Sequence, residues 1–241
     1  MGIVDVLDRV AELVLGAGCA GCGRPGLGPC PDCVTTVNRS PPFVAPGLPD
    51  GLPPVFAGGA YADELRRLLI AAKERHALGA VPLLGGRLAA AVAGWALAAS
   101  VAERAPGDVD GGRVALVPVP TARARVAERG LDLTVALARA AAGRLRRAGL
   151  PASVWCGLRL VRRPADQSEL GREGRLANLA GAFEVAGRPP QARLVVVDDI
   201  VTTGATLVEA VRACADAGVR PVAGATVAAT VRRLGTARGA R

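Results

Sequence analysis

A run of four apolar residues, followed by two carboxylates and a hydroxyl-rich turn, constrains this chain more than any other feature. The run spans Leu194–Thr206 and reads Leu-Val-Val-Val-Asp-Asp-Ile-Val-Thr-Thr-Gly-Ala-Thr. Its four apolar residues predict a buried parallel strand. The amphipathic stretch Leu207–Ala217, closed by Gly218, predicts a helix that Thr203 or Thr206 is expected to cap. The segment is therefore predicted to be a strand, a short turn and a helix N-terminus.

The turn has the composition of a phosphate-binding loop. It offers backbone N–H groups, the positive end of a helix dipole and several hydroxyls to one small anion, and glycine lets the backbone come close. The residues predicted to contact a phosphate are Thr202, Thr203, Gly204, Ala205 and Thr206. The alternative is an ordinary β–α turn in which Asp and Thr merely cap the helix.

Two adjacent carboxylates precede this turn. Asp198 and Asp199 can only accept hydrogen bonds, so beside a phosphate they favour a pair of vicinal hydroxyls over a second phosphate. A phosphate next to a diol describes a ribose 5-phosphate, and we predict catalytic roles for both carboxylates. Other phosphate loops fit less well, because the sequence has neither Gly-x-x-x-x-Gly-Lys-[Ser/Thr] nor Gly-x-Gly-x-x-Gly after a strand.

Composition is consistent with one principal domain and a small appendage. The chain has 241 residues, of which 51% are hydrophobic and 2% aromatic, so an aliphatic core is expected. A net charge of +9 indicates an anionic partner, which could be a phosphorylated metabolite or a nucleic acid. The low aromatic content argues against a stacking platform for single strands.

The apolar stretches do not predict a membrane span or a secretory signal. Residues 3–14 predict an amphipathic helix interrupted by charges. The Ala-rich stretch Leu88–Ala102 is shorter than the roughly 20 apolar residues that a span needs, and it is predicted to be a core helix. We therefore expect a cytoplasmic protein without membrane insertion.

Two Cys-x-x-Cys pairs lie close together near the N-terminus. Cys19, Cys22, Cys30 and Cys33 suit a structural zinc site with four thiolate ligands. Two redox-active pairs or a disulfide staple are the alternatives, and a cytoplasmic chain disfavours disulfides. The two other cysteines, Cys156 and Cys214, have apolar neighbours and are predicted to be inert core residues.

The order of patterns predicts an α/β fold. β-like runs are expected at 55–61, 114–117, 153–161, 194–197 and 222–230, with helices ending near 73, 102 and 147 between them. Such alternation predicts a mostly parallel sheet with helices on both faces. The predicted division is an N-terminal helix and zinc knuckle (1–40), a Pro-rich linker (41–54) and the main domain (55–241). Ligands bind at the carboxyl ends of parallel strands, so the loops that follow Val117-Pro118 and Val197-Asp198 are predicted to meet in one crevice.

The Leu194–Thr206 run matches the phosphoribosyl diphosphate motif of type I phosphoribosyltransferases, and the chain as a whole resembles the ComF family of competence-associated, phosphoribosyltransferase-like proteins. Further landmarks are the four-cysteine knuckle, the Tyr61…Lys73 segment, Val117-Pro118-Val119-Pro120 with Arg129-Gly130, and Arg163…Gln167…Arg175 with Gly181-Ala182-Phe183. The resemblance covers nearly the full length and implies a type I phosphoribosyltransferase fold.

The resemblance also implies ligands and roles. Phosphoribosyl diphosphate with Mg²⁺ would be bound, with Pro118 in the turn that receives diphosphate and Arg123, Arg125 and Arg129 nearby. Residues 162–175 would form a mobile loop over the reaction centre, carrying Arg163, Gln167 and Arg175. The acceptor is not named by the sequence, and a hood that recognises a base would have to come from the N-terminal half.

The chain departs from the family at Arg129-Gly130-Leu131-Asp132-Leu133, where Arg-Gly-Phe-Asn-Gln is common. Two function classes follow. The first is an enzyme that transfers phosphoribosyl to an unidentified acceptor. The second is a non-enzymatic DNA-uptake or DNA-processing factor that uses the fold to bind nucleotide or DNA, with a helicase-like competence partner.

Overall fold

A computed structural model describes residues 18–26, 28–102, 112–122, 126–127, 130–162 and 172–231. The predicted amphipathic helix at residues 3–14 lies outside these ranges, as does the basic tail from residue 232.

The described residues include six α-helices, one 3-10 helix (Leu78–Ala80) and eight strands. In chain order the helices are α1 (Pro31–Arg39), α2 (Asp63–Glu74), α3 (Val81–Ala102), α4 (Leu133–Arg147), α5 (Arg172–Leu179) and α6 (Ala205–Asp216). The strands are β1 (Phe43–Val44), β2 (Val55–Ala57), β3 (Val114–Pro118), β4 (Ala152–Val154), β5 (Leu158–Leu160), β6 (Phe183–Val185), β7 (Arg193–Val201) and β8 (Ala223–Ala229).

Six of these strands form one sheet in the order β1-β2-β8-β7-β3-β4. All neighbours in it are parallel except the short edge strand β1, which is antiparallel to β2. β7 lies inside the sheet, with β8 on one side and β3 on the other. The predicted α/β class with a mostly parallel sheet is confirmed, and helices flank the sheet.

Two buried clusters cover the sheet. The first joins side chains of α2, α3 and α4 to residues of the sheet such as Val195 and Val197. The second joins α6 and the β5–β6 strands to residues such as Val117 and Val196. Because both clusters consist largely of Ala, Val and Leu, the core is aliphatic, as the composition predicts.

One predicted β-run divides in two. Residues 153–161 were expected to be one β-prone segment, whereas β4 joins the main sheet and β5 pairs antiparallel with β6 in a separate ribbon. The break lies at Gly157, where a Cβ atom would fall within 2.1 Å of the Trp155 ring. Only glycine at position 157 leaves room for the Trp155 ring, and this is the point where the chain passes from β4 in the main sheet to β5 in the ribbon.

The β5–β6 ribbon is fastened to α6 by a buried carboxylate. Glu209 is 3% exposed and accepts a hydrogen bond from the Phe183 N–H at 2.9 Å. Arg212 donates to Glu209 and also to the Phe183 carbonyl. Burial raises the pKa of Glu209, but the hydrogen bonds from Arg212 and the backbone outweigh it and lower the pKa overall.

Helix α3 is the predicted core helix, and it is longer than expected. Among the described residues, Leu78–Val101 is the single segment long and apolar enough to cross a membrane, and 56% of its most apolar window is buried. It packs against α4, β2 and β8. This packing is that of a core helix.

The N-terminal segments also contact the main core. Val37 of α1 is buried in the cluster of α2 and α3, and residues 43–44 form β1 on the sheet edge. These contacts join residues on either side of the predicted boundaries at residues 40 and 54. The division into three parts stays a prediction.

Candidate functional site

The acidic pair lies within β7, at its carboxyl end. β7 runs four residues further than the predicted strand, because Asp198, Ile200 and Val201 continue the pairing with β8. Asp198 is opposite Thr226, a fully buried residue. The two carboxylates therefore project from a backbone that pairs with β8, directly after the last residue that pairs with β3, and this pairing is a rigid support for a binding group.

The hydroxyl-rich turn follows β7 directly and leads into α6. Thr202 is exposed, Thr203 and Thr206 are partly buried, and Gly204 and Ala205 are buried. The turn thus joins the end of an inner strand to the N-terminus of a helix of 12 residues, where unpaired N–H groups and the helix dipole favour an anion.

The predicted threonine cap is not formed as expected. The N-cap is Gly204, which has a left-handed backbone (φ 80°) and no side chain to cap with. Thr203 instead accepts a long 3.5 Å hydrogen bond from the Ala205 N–H. The helix begins at Ala205, two residues before the predicted start.

A segment from the Pro-rich region packs on this turn. We call residues 45–52 the strap. A Cβ atom at residue 204 would lie 2.9 Å from Cδ of Pro49, 3.3 Å from Cδ2 of Leu48 and 3.5 Å from Cδ1 of Leu52. The strap is held at its start by the buried Ala45, whose N–H donates to the Val55 carbonyl at 2.8 Å. Glycine at position 204 therefore leaves room for the strap.

The acidic pair has a basic partner that the motif did not predict. The Nζ atom of Lys73, in the last turn of α2, lies 2.9 Å from Oδ2 of Asp199. The side chains are 29% and 12% exposed, so the ion pair is largely shielded from water. Lys73 is 126 positions away in sequence, but it is the chain's single lysine, and that rarity could have drawn attention to it.

The two carboxyl groups differ in their electrostatic setting. Burial raises the pKa of Asp198 well above its ordinary value, and the negative charge of Asp199 raises it further. The Asp199 N–H, which donates to Asp198 Oδ1 at 2.8 Å, and the charge of Lys73 oppose the rise. One carboxylate is thus paired with a cation, while the other holds a proton more readily.

The two strand ends that were predicted to meet are neighbours in the sheet, whereas the single crevice predicted for their loops stays a prediction. Pro118, the last residue of β3, is aligned with Val197, and the Val119 N–H donates to the Val197 carbonyl at 3.0 Å. The turn after β3 therefore begins beside the residue that precedes the acidic pair. Asp132, at the family-departure corner, accepts from the Thr121 hydroxyl and from the Val135 N–H, each at 3.2 Å, and so caps α4.

A cavity of about 450 Å³ opens beside Pro118. It lies between the turn at 118–122, the start of α4 and the chain at 156–161, and neither the acidic pair nor the threonine turn lines it. Cys156 is exposed and lines this cavity, so the prediction that it is a core residue is wrong. Cys214 is buried as predicted, and burial raises its pKa to about 11.

Several predicted ligand-binding residues cannot be compared with this geometry. Arg123, Arg125, Arg129, Arg163 and Gln167 lie outside the described residues, and Arg175 lies in α5 with its side chain outside them. Arg162, at the start of the predicted mobile loop, donates to the carbonyls of Asn178 and Ala180 near the end of α5. The start of that segment is therefore held beside the β5–β6 ribbon.

The four N-terminal cysteines form one cluster. All four sulfur atoms lie within 4.8 Å of one another, and those of Cys22 and Cys30 are 3.6 Å apart. Zinc–sulfur bonds of about 2.3 Å in a tetrahedron place sulfur atoms about 3.8 Å apart. A Cβ at Gly21 would lie 2.8 Å from the Cys33 sulfur, so glycine is needed for this approach. The cluster could bind a metal such as zinc.

The cluster also favours a thiolate. Burial raises the pKa of Cys19, but N–H groups that include that of Cys30, 3.2 Å from the sulfur, lower it to about 6 overall. Burial and hydrogen bonds with the other thiols raise the pKa of Cys33. A bound cation would favour thiolates at both positions, because metal ligation deprotonates cysteine.

Comparison with known proteins found no matching family model and no matching curated protein. The resemblance to ComF proteins accordingly rests on the motif residues named above.

Proposed function

We propose that this chain is a ComF-like, phosphoribosyltransferase-type protein that binds 5-phosphoribosyl 1-diphosphate in the cytoplasm and transfers its phosphoribosyl group to an acceptor. The observation that supports this most is the arrangement at the carboxyl end of β7. There an acidic pair, a threonine-rich turn and a helix N-terminus follow one another beside the end of β3.

Each group at this edge suits one part of the ligand. The turn Thr202–Thr206 would hold the 5-phosphate at the N-terminus of α6. Asp198 and Asp199 would accept hydrogen bonds from the ribose hydroxyls. The turn that begins at Pro118 would face the diphosphate. In the reaction the bond between the anomeric carbon and diphosphate breaks, the acceptor forms the new bond, and diphosphate leaves with the electron pair.

Metals would have two different roles. Carboxylate oxygens such as those of the acidic pair are ligands that Mg²⁺ prefers, and Mg²⁺ supplied with phosphoribosyl diphosphate would neutralise charge on the leaving group. Four thiolates at Cys19, Cys22, Cys30 and Cys33 suit structural zinc, whose role is to hold the N-terminal segment together.

The decisive experiment measures binding of phosphoribosyl diphosphate with Mg²⁺ by calorimetry, followed by diphosphate release with a panel of acceptors. We expect Asp199→Asn to weaken binding about tenfold, which is about 1.4 kcal/mol, with thermal stability nearly intact. Wild-type protein that does not bind phosphoribosyl diphosphate would refute the proposal.

Purified wild-type protein and a double threonine variant test the alternative DNA-binding function, which the net charge of +9 favours. If the pocket serves a metabolite, Thr203→Val with Thr206→Val abolishes metabolite binding and leaves weak, salt-sensitive DNA binding unchanged. If the pocket grips DNA, the double variant loses DNA binding, and excess phosphoribosyl diphosphate displaces DNA from the wild type. We expect the first result, because contacts that track DNA are usually dispersed Lys and Arg side chains.

A further inference from the structure

The sequence contains 30 basic residues, and Lys73 is the single lysine among them. It lies beside buried Ala72 near the end of α2, and its amine reaches across to β7. In a chain that otherwise uses arginine for every side-chain cation apart from histidine, the position that contacts the acidic pair therefore has a different cation. The chemical difference between the two cations suggests what this position does.

An ammonium and a guanidinium bind a carboxylate differently. Arginine presents a planar fork that takes both carboxylate oxygens, whereas lysine is a compact charge on a flexible stem. The shortest contact of the ion pair joins Nζ of Lys73 to Oδ2 of Asp199, at 2.9 Å. A lysine at this position can therefore hold the carboxylate with a single point contact, which suits a carboxylate that also has to accept a hydrogen bond from a ligand.

The positive charge of Lys73 also affects how the acidic pair interacts with an anionic ligand. Two adjacent carboxylates would repel the phosphates of an anionic ligand, and the ammonium of Lys73 offsets one of them. The ion pair also links α2, whose buried face belongs to the first core cluster, to the strand that carries the proposed ribose contacts.

We propose that Lys73 is a positioning residue of the site: it holds Asp199 through one oxygen, offsets its charge and keeps the other oxygen for a hydroxyl of the phosphoribosyl ligand. This inference rests on the proposed function. It assigns to the Lys73 side chain a role that neither the motif nor the acidic pair alone contains.

Four proteins are compared by calorimetry with phosphoribosyl diphosphate and Mg²⁺: the wild type, Lys73→Met, Lys73→Arg and the control Arg66→Met. Arg66 lies on the same helix, two turns away, and stacks over the Tyr61 ring at 5.9 Å. We expect Lys73→Met to weaken binding about tenfold. Lys73→Arg keeps the charge but should still weaken binding about fivefold, because the fork occupies both oxygens. Arg66→Met should stay within about twofold of the wild type.

A double-variant cycle shows whether Lys73 acts through Asp199. In the Asp199→Asn background, Lys73→Met should change the affinity by less than about twofold, since its partner is already removed. Circular dichroism of each variant shows that loss of binding is not loss of fold. Full additivity of the two changes, or wild-type affinity in Lys73→Arg, would overturn the proposal.

A ligand-independent measurement separates this inference from the proposed function. Reductive methylation with ¹³C-formaldehyde labels two amines, Lys73 and the N-terminus, because no other lysine exists. The Lys73 signal should shift in Asp199→Asn and not in Arg66→Met. Wild-type protein that fails to bind phosphoribosyl diphosphate refutes the proposed function, even where the labelled lysine still reports the ion pair. Binding that is normal in all Lys73 variants refutes only the positioning role.

Discussion

Replacing Gly204 by alanine should damage the site through two separable effects. The residue has φ 80° and ψ −1°, and a left-handed backbone costs an L-residue about 1–2 kcal/mol. The new methyl would also lie 2.9 Å from Cδ of Pro49, well inside the optimal carbon–carbon separation of about 3.5–4.0 Å.

The magnitude follows from these two terms. Forcing a methyl into a packed contact costs about 1–3 kcal/mol, and the lower entropy of the unfolded alanine chain returns about 0.5–1 kcal/mol. We therefore expect Gly204→Ala to lower the free energy of unfolding by about 1–4.5 kcal/mol. Part of this loss can be avoided if the strap lifts away from the turn.

Gly218 is the matched control. Its φ is 75°, but nothing lies within 4 Å of the position that a Cβ would take. Gly218→Ala therefore measures the backbone cost alone, which we expect to be about 1 kcal/mol. The difference between the two variants, taken from urea unfolding followed by far-ultraviolet circular dichroism, measures the collision with the strap.

A further variant identifies the collision partner. Pro49→Ala combined with Gly204→Ala should recover about 1 kcal/mol or more of the excess loss, because the colliding Cδ atom is removed. Equal losses in the Gly204 and Gly218 variants would show that the strap does not press on the turn, and the reasoning would be refuted.

Two other predictions concern stability and metal. The pKa of Glu209 is lowered in the folded state. The contribution of its carboxylate to the free energy of unfolding is therefore fully present above the unfolded pKa of about 4.3, and it is lost as the pH falls through the lower pKa of the folded state. Glu209→Gln should cost about 2 kcal/mol at pH 7 in urea unfolding, and a pH-independent difference from wild type between pH 7 and pH 3 would contradict this. Purified protein should contain about one zinc per chain by mass spectrometry, and Cys30→Ser should release it whereas Cys156→Ser should not. Because Val37 is part of the main core, metal loss should also lower the melting temperature of the main domain; metal-free wild type with disulfides among Cys19–Cys33 would refute the zinc assignment.

The fold class was predictable because its signals are local. Alternating apolar runs and amphipathic stretches determine which segments become strands and helices, and the run Val195–Val197 is buried in an inner strand. Boundaries were less predictable. The local pattern does not signal that β7 continues through Asp198 and Asp199, because that extension depends on pairing with β8. Nor does it signal the break at Gly157, where the Trp155 ring occupies the place of a Cβ atom.

The site was predictable only where one segment carries it. The acidic pair and the threonine turn are contiguous, so their order in sequence already fixes their order in space. Lys73 and the strap come from other segments and reach the site only when β2 and β7 are placed on either side of β8. The residues of the proposed phosphate and ribose contacts are therefore local in sequence, whereas the ion pair of Asp199 and the packing above Gly204 are set by tertiary contacts. On the proposed role of Lys73, chains with an identical Leu194–Thr206 segment would differ in affinity for the phosphoribosyl ligand, because the partner of Asp199 lies 126 positions away in sequence.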